Sequence, residues 1–230
     1  LDRNDKDDPN TNEEAMAALR INVKSKDKEL VGRLFSAKII ELALSNYPGF
    51  FAGGGVKSSG PVLIYWPALV DSKHINEVVH FNGKSKELKP TSQLNFEEIY
   101  YQTEPVKIPD APKGETSHVP LGTLFGARSG DKGGCANLGV WAKDLDAFAF
   151  LSSFLTIKKL KELMPDLKGF KIERFDLPNI LSLNFYIHDI LEDGVSSNSR
   201  KDAQAKSLGE YLRAKKANIP SSLLETLNEY

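Results

Sequence analysis

The sequence is poor in cysteine and lacks any long apolar run, and both features exclude classes of protein. Cys135 is the single cysteine among 230 residues, so no disulfide can form within the chain. His74, His80 and His118 are scattered without metal-ligand spacing, and the single Cys has no clustered His, so we predict no metal site. We also predict no cofactor. No apolar run reaches the length of about 18 residues that a membrane-spanning helix needs. These features favour a reducing, cytoplasmic location.

The chain also lacks an excess of either charge, with 30 basic and 31 acidic side chains and a net charge of −1. Such a balance gives no reason to expect nucleic acid or an anionic membrane as a partner. Hydrophobic residues make up 40% and charged residues 27% of the chain, as in ordinary globular proteins. A chain of this length buries a substantial core and forms one or two domains.

The densest combination of glycine and charge lies at residues 127–134, which read Ala-Arg-Ser-Gly-Asp-Lys-Gly-Gly. Apolar runs rich in β-forming residues flank it at 119–125 and 136–142, which predicts strand, loop and strand. A hairpin needs only a two-residue turn, so the extra length and charge favour a binding loop. Glycine N–H groups, Arg128 and Lys132 would hold an anion there. The alternative is a solvated hairpin loop with a weak surface ion pair.

Several side chains in and near this loop are candidates for chemistry. Asn137 and Asn184 lie in predicted strands, where asparagine is disfavoured, and are either edge residues or hydrogen-bonding groups. His188 ends an apolar strand and is either structural or an acid–base group, whereas Asp131 needs burial to act as a general base. We take Cys135 as structural. The predicted catalytic residues are Asp131 and His188, and the predicted ligand-binding residues are Arg128, Ser129, Lys132, Gly133, Gly134, Asn137 and Asn184.

The N-terminal part of the chain carries the pattern of one helix among strands. Residues 1–14 carry six acidic and two basic side chains and no apolar residue after Leu1, which predicts a flexible leader or a severed linker. Residues 15–81 predict a βαββ order, with a helix that Asp27 caps and Pro48 stops. Apolar residues cover much of that helix, so we expect it to be buried on two sides. The expected elements are a strand at 19–23, a helix at 27–46 and strands at 62–70 and 74–81.

The C-terminal part predicts a separate unit. Residues 82–116 carry four prolines and little periodicity, which predicts an extended linker. Residues 117–215 show the order ββαββα, which predicts an α+β unit with an antiparallel sheet and helices on one face. Residues 216–230 are predicted to form an accessory tail helix. Within the unit we expect helices at 145–164 and 201–214, and later strands at 169–175 and 180–187.

Several separated blocks of the sequence resemble one known family, in the order in which that family carries them. The chain resembles the AtuA-like family, named for acyclic terpene utilisation. It departs from the family's pattern at Cys135, where many relatives carry Asp, and at Ala205, where Gly is usual. The matching blocks are Ala127–Gly134 with Ala136, Asn137, Gly139 and Val140; Leu177-Pro178-Asn179 with Leu183, Asn184, Phe185 and His188; Ser199–Gly209; and, upstream, 29–33, 47–50 and 65–70.

The resemblance implies a ferredoxin-like fold for residues 117–215, preceded by the βαββ end of a larger α/β domain. Full members of the family carry a longer first domain. The chain is therefore expected to be a C-terminal part whose partner is the missing N-terminal AtuA-type domain or chain. We also expect a homo-oligomer.

Two functions follow from these expectations. In the first, the chain is part of an enzyme of acyclic terpenoid or branched acyl-CoA catabolism. Its loop at 128–134 then holds the anionic group of an acyl-CoA or small acid ligand. In the second, the ferredoxin-like unit is a non-catalytic assembly or ligand-sensing module for a partner catalytic domain. The residues do not specify a reaction type, and likeness of fold is a weak guide to substrate.

Overall fold

The computed structural model describes residues 3–44, 48–52, 58–88 and 105–225. The chain forms two compact units, Leu1–Leu63 and Ile64–Tyr230. Residues 89–104 of the predicted linker lie outside the described residues. Each unit is described by itself below.

The first unit contains two consecutive helices, α1 (Lys28–Val31) and α2 (Arg33–Leu44). The predicted cap is confirmed, because the Asp27 carboxylate accepts a hydrogen bond of 2.9 Å from the backbone N–H of Glu29. The predicted burial on two sides is wrong for these residues. The described part of this unit supplies no layer to cover the helices, and their apolar side chains are exposed at Leu30, Leu34, Ile40 and Leu42.

Two of the predicted N-terminal strands are not strands in the structure. Apolar and polar residues alternate over 19–23, as they would in a half-buried strand. However, these residues pair with no other strand within the described ranges, and their apolar side chains are exposed. Residues 62–70 form no strand either, and the Leu69 side chain is fully exposed. Pro61 and Pro67 lack the N–H donor that an interior strand needs.

The second unit begins with a hairpin of β1 (Glu77–Phe81) and β2 (Lys84–Leu88). Asn82 and Gly83 join the strands with φ angles of 48° and 72°, as a type I′ turn requires. The strand predicted at 74–81 therefore exists in shortened form. It pairs with residues that we had predicted to be linker.

The C-terminal region of this unit confirms the predicted α+β class and is consistent with a ferredoxin-like domain. A four-stranded antiparallel sheet has the order β4-β5-β7-β6, and a separate pair joins β3 to β8. The strands are β3 (Thr116–Pro120), β4 (Gly126–Lys132), β5 (Cys135–Trp141), β6 (Ile172–Leu177), β7 (Ser182–Ile187) and β8 (Lys216–Pro220). The helices are α3 (Leu145–Phe154), α4 (Ile157–Leu163), α5 (Leu208–Ala214) and α6 (Ser221–Glu225), with short 3-10 turns at Leu121–Thr123, Pro165–Leu167 and Pro178–Ile180.

The core lies between the sheet and its helices. Every second side chain of the two central strands is buried, and these side chains join the cluster that contains Phe148 and Leu151 of α3. Burying one such side chain contributes about 1.5–3 kcal/mol. The buried strand residues are Ala136, Leu138, Val140, Leu183, Phe185 and Ile187. The intervening residues face away from the core, and we call that side of the sheet the open face.

The C-terminal helices differ from prediction in three places. The helix expected at 145–164 is two helices, because the Thr156 hydroxyl accepts from Lys159 N–H at 3.1 Å and starts a new helix. The helix expected at 201–214 begins only at Leu208, since Ala205 has a φ of 53° that no right-handed helix admits. Within the described residues the predicted tail helix is limited to α6, because Lys216–Pro220 pairs with β3 as a strand.

Candidate functional site

The charged segment predicted as a loop is a strand. Arg128 pairs with Gly139 and Lys132 pairs with Cys135, so residues 128–132 belong to β4. Only Gly133 and Gly134 remain as a two-residue turn. Every second N–H group of β4 is committed to β5, and these groups cannot converge on an anion as a glycine-rich loop would. The prediction of a long binding loop is therefore wrong, although its two cations remain available.

Strand alternation divides the predicted site residues between the two faces of the sheet. Arg128, Lys132, Asn137 and Asn184 occupy alternate positions that face away from the core. Asp131 belongs to the opposite face, because it pairs with the buried residue Ala136. The structure therefore brings the two cations and the two asparagines to one surface and leaves Asp131 on the other.

Ser129 also belongs to the covered face and has a structural partner there. Its side chain is buried, and its hydroxyl accepts a hydrogen bond of 2.9 Å from the backbone N–H of Gly209 in α5. Helix α5 packs closely on β4 at this point, since a Cβ added to Gly209 would lie 3.3 Å from the backbone nitrogen of Arg128. The hydrogen bond of Ser129 thus holds α5 against β4.

The two glycines of the turn are required by close packing. Gly133 has a φ of 65°, and a Cβ there would lie 3.0 Å from the ring of Tyr65. A Cβ on Gly134 would lie 2.2 Å from the carbonyl oxygen of Glu192, and the Gly134 carbonyl accepts from the N–H of Leu191 at 2.8 Å. Both predicted ligand-binding glycines therefore have structural roles. Tyr65 was not among the predicted site residues, and its backbone N–H donates to the Asp193 carbonyl at 3.1 Å.

Two amide side chains lie at the centre of the open face. Asn137 and Asn184 touch through a long hydrogen bond of 3.4 Å between Nδ2 and Oδ1. Gly130, on the edge strand β4, lies beside Asn137 of β5 and has no side chain. The space above it is open, because no atom lies within 4 Å of a Cβ built there. Arg128 and Lys132 lie on either side of Gly130 along β4. Lys132 Nζ donates to the carbonyl of Asp131 at 3.1 Å, while Arg128 has no side-chain hydrogen bond or ion pair within the described residues.

One end of the open face carries an acid–base pair. His188 Nε2 lies 2.5 Å from Glu173 Oε1, and Lys171 Nζ lies 3.5 Å from the same oxygen. The hydrogen bond from His188 is the main cause that lowers the pKa of Glu173 below its ordinary value, with a smaller contribution from Lys171. The ring of Tyr186 meets the His188 ring edge-on, with centroids 4.9 Å apart.

Cys135 lies beside this pair and contacts two neighbours. Asp189 donates its backbone N–H to Cys135 Sγ over 3.5 Å. A hydrogen bond between the Tyr186 hydroxyl and the Cys135 side chain is the main cause that raises the pKa of Tyr186, followed by burial. Sequence reasoning missed Glu173 and Tyr186 as members of the site, because only the pairing of β6 with β7 brings Glu173 opposite Tyr186.

The other end of the open face is apolar. Trp141, Phe175 and Leu177 alternate outward on β5 and β6, and their exposed fractions are 43%, 48% and 41%. The Trp141 indole lies over Gly126, where an added Cβ would be 2.2 Å from the ring. The open face is therefore amphipathic. Exposed apolar side chains lie at one end on β5 and β6, Lys132 and the Glu173–His188 pair lie toward the other end, and Arg128 lies on β4 in the row of Phe175.

Comparison with protein families identifies the chain. The model of the AtuA ferredoxin-like domain matches residues 119–218, and the model of the acyclic terpene utilisation family protein AtuA matches residues 1–81. The chain belongs to the AtuA-like family. This AtuA-like chain shares the family's general role, which is acyclic terpene utilisation. No curated protein and no solved structure matches it.

Two further properties of the AtuA-like chain bear on the site. No helix in the described ranges is long and apolar enough to cross a membrane. Within the same ranges, no three His, Cys, Asp or Glu side chains are grouped so that they could hold a metal ion. The open face itself carries amide, cationic, imidazole, thiol and carboxylate side chains.

Proposed function

We propose that this AtuA-like chain acts in the catabolism of acyclic terpenoids or branched acyl-CoA compounds, and that the open face binds the substrate. The observation that carries the proposal is the amphipathic division of that face. A branched acyl thioester or acid has the same division, with an apolar chain and an anionic or polar head.

The dimensions of the face suit an extended ligand. Alternate residues along a strand are about 7 Å apart, so the four outward rows of the sheet span about 20 Å. The row of Trp141 and Leu177 lies at one end, and the row of Lys132 and Cys135 lies at the other. An acyl chain lying over the apolar rows would place its head group over the amides and cations.

The energetics follow from the two halves of such a ligand. Covering apolar surface contributes about 1 kcal/mol for every ~40 Å² removed from water. The Arg128 guanidinium is exposed and can form paired hydrogen bonds to a carboxylate or phosphate. A hydrogen bond to a charged group contributes about 1.5–3 kcal/mol. Binding that uses both halves is therefore expected to be micromolar.

Calorimetric titration of coenzyme A and of a branched acyl-CoA tests the proposal. We expect the Arg128→Ala/Lys132→Ala variant to lose affinity for both ligands by at least about tenfold. The control is Lys158→Ala/Lys168→Ala, which removes two exposed positive charges outside the open face and should bind as the wild type does. In Phe175→Ala, we expect the acyl-CoA to lose its advantage over coenzyme A.

The assembly function remains the second candidate, because the exposed side chains of Trp141, Phe175 and Leu177 also suit a protein partner. Light scattering after size-exclusion chromatography distinguishes the two. Absence of binding to either ligand, together with a change of association state in Phe175→Ser, would contradict substrate binding and support assembly. Binding with an unchanged association state would support the first proposal.

A further inference from the structure

The ionisable end of the open face continues the sheet beyond the last residue of β7. The backbone N–H of His188 donates to the carbonyl of Lys171 at 3.0 Å, so the β6–β7 pairing extends to His188. Ala136 pairs with Ile187 in the neighbouring ladder, which places Cys135 at the next position, beside His188. His188 therefore occupies the outermost row of the open face.

The contacts of His188 distinguish its two ring nitrogens. Nε2 is engaged by the Glu173 carboxylate at 2.5 Å, and Nδ1 forms no hydrogen bond with the residues that the structure describes. When a neutral imidazole donates a hydrogen bond from the N–H of one ring nitrogen to a carboxylate, the other ring nitrogen carries a free lone pair. Nδ1 is then the acceptor nitrogen, and the Glu173 carboxylate holds the ring in that tautomer and orientation.

The position of the His188–Glu173 pair relative to the apolar end indicates which part of a bound substrate the pair would meet. Phe175 and Glu173 are two residues apart on β6 and face the same way, so their rows are about 7 Å apart. His188 lies in the next row of the open face, beyond the row of Glu173. An acyl chain lying over Trp141 and Phe175 would therefore direct its carbonyl end toward His188.

We infer that His188 accepts a proton from the carbon next to the carbonyl of a bound acyl thioester, and that Glu173 is its positioning residue. This inference rests on the proposed substrate class. The C–H bond of the substrate breaks, an N–H bond forms at Nδ1, and the electron pair passes to the adjacent carbonyl as an enolate. Return of the proton, or of a deuteron from solvent, restores the acyl thioester without any co-reactant.

Exchange of that hydrogen with solvent deuterium tests the inference. The chain is incubated with a branched acyl-CoA in D2O, and deuterium uptake is followed by mass spectrometry. We expect uptake above the protein-free rate and a loss of about a hundredfold or more in His188→Ala, since general base catalysis contributes about 10²–10⁴-fold. Added imidazole should partly restore exchange in that variant.

The positioning role of Glu173 has a separate readout. Glu173→Gln keeps a hydrogen-bonding oxygen but removes the charge, so we expect the maximal exchange rate to fall about tenfold or more while the half-saturating acyl-CoA concentration stays unchanged. Glu173→Asp should regain part of the rate. The control Glu162→Gln removes an exposed carboxylate from α4 and should exchange as the wild type does.

The outcomes separate this inference from the proposed function. Acyl-CoA binding without catalysed exchange would overturn the role of His188 and leave the proposed function standing. Exchange that survives His188→Ala would overturn it as well. Absence of both binding and exchange would refute the proposed function together with the inference.

Discussion

Replacing Ser129 by alanine tests whether this residue supports the fold or binds a ligand. Its hydroxyl accepts a hydrogen bond of 2.9 Å from Gly209 N–H, and both residues are buried. Gly209 is the second residue of α5, and its N–H is one of the donors that a helix start leaves without a partner within the helix. Ser207 precedes the helix, but its side chain makes no capping hydrogen bond. Ser129 therefore caps α5 from β4, the strand on which the helix packs.

The expected loss follows from that geometry. Ser129→Ala leaves a buried donor without an acceptor, which lowers the free energy of unfolding by about 1–3 kcal/mol. For a unit of this size, each 1 kcal/mol lowers Tm by about 2–4 °C. Urea and thermal unfolding followed by circular dichroism measure both quantities. The control is Ser207→Ala, whose hydroxyl donates to Asp202 at an exposed position and should lower stability less.

Two results would refute this reasoning. A change in unfolding free energy below about 0.5 kcal/mol would mean that the hydroxyl does not cap the helix. A loss of acyl-CoA affinity in a variant of unchanged stability would mean that Ser129 faces the ligand. The assignment of β4 residues to the two faces would then be wrong, and with it the composition of the open face.

Two further predictions concern the turn and the acid–base pair. Gly134→Ala should lower the free energy of unfolding by about 1–3 kcal/mol, because its Cβ would meet the Glu192 carbonyl oxygen. Gly130→Ala, where nothing lies within 4 Å, should leave stability almost unchanged in the same urea experiment. The hydrogen bond from His188 lowers the pKa of Glu173, so its stabilisation is present above the ordinary glutamate pKa of about 4.3 and is lost as pH falls through the lower folded value. The difference in unfolding free energy between the wild type and Glu173→Gln should therefore shrink below about pH 4, and a difference constant down to pH 3 would contradict this.

Runs of β-forming residues predicted the sheet better than residue type predicted the site. The runs at 136–142, 169–175 and 180–187 predicted three of the four strands of the sheet, and the order ββαββα predicted that it is antiparallel. The run at 119–125 is not the neighbour of β5, because its first residues pair with β8 and β4 begins at Gly126. The segment 127–134 was misassigned because one side of β4 faces solvent. Its glycines and charged residues resemble those of a loop. Composition alone does not separate a solvated strand from a long turn.

Other differences arose from information that local sequence does not contain. Asn82-Gly83 is a strong hairpin signal, but its position inside a proline-rich stretch favoured a linker. Glu173 and His188 are 15 residues apart and meet only because β6 and β7 pair in one particular register. The apolar residues of α2 predicted burial, but burial also requires a covering layer, which the helix's own sequence does not reveal.

The two-residue turn between β4 and β5 fixes more than the path of the chain. Side chains alternate with a period of two, so inserting a single residue near Gly133 would exchange the faces of every residue on β4 relative to β5. Arg128 and Lys132 would then point into the core, and Ser129 would point to solvent. A change of one residue in the length of this turn would therefore remove the helix cap and the cationic edge together.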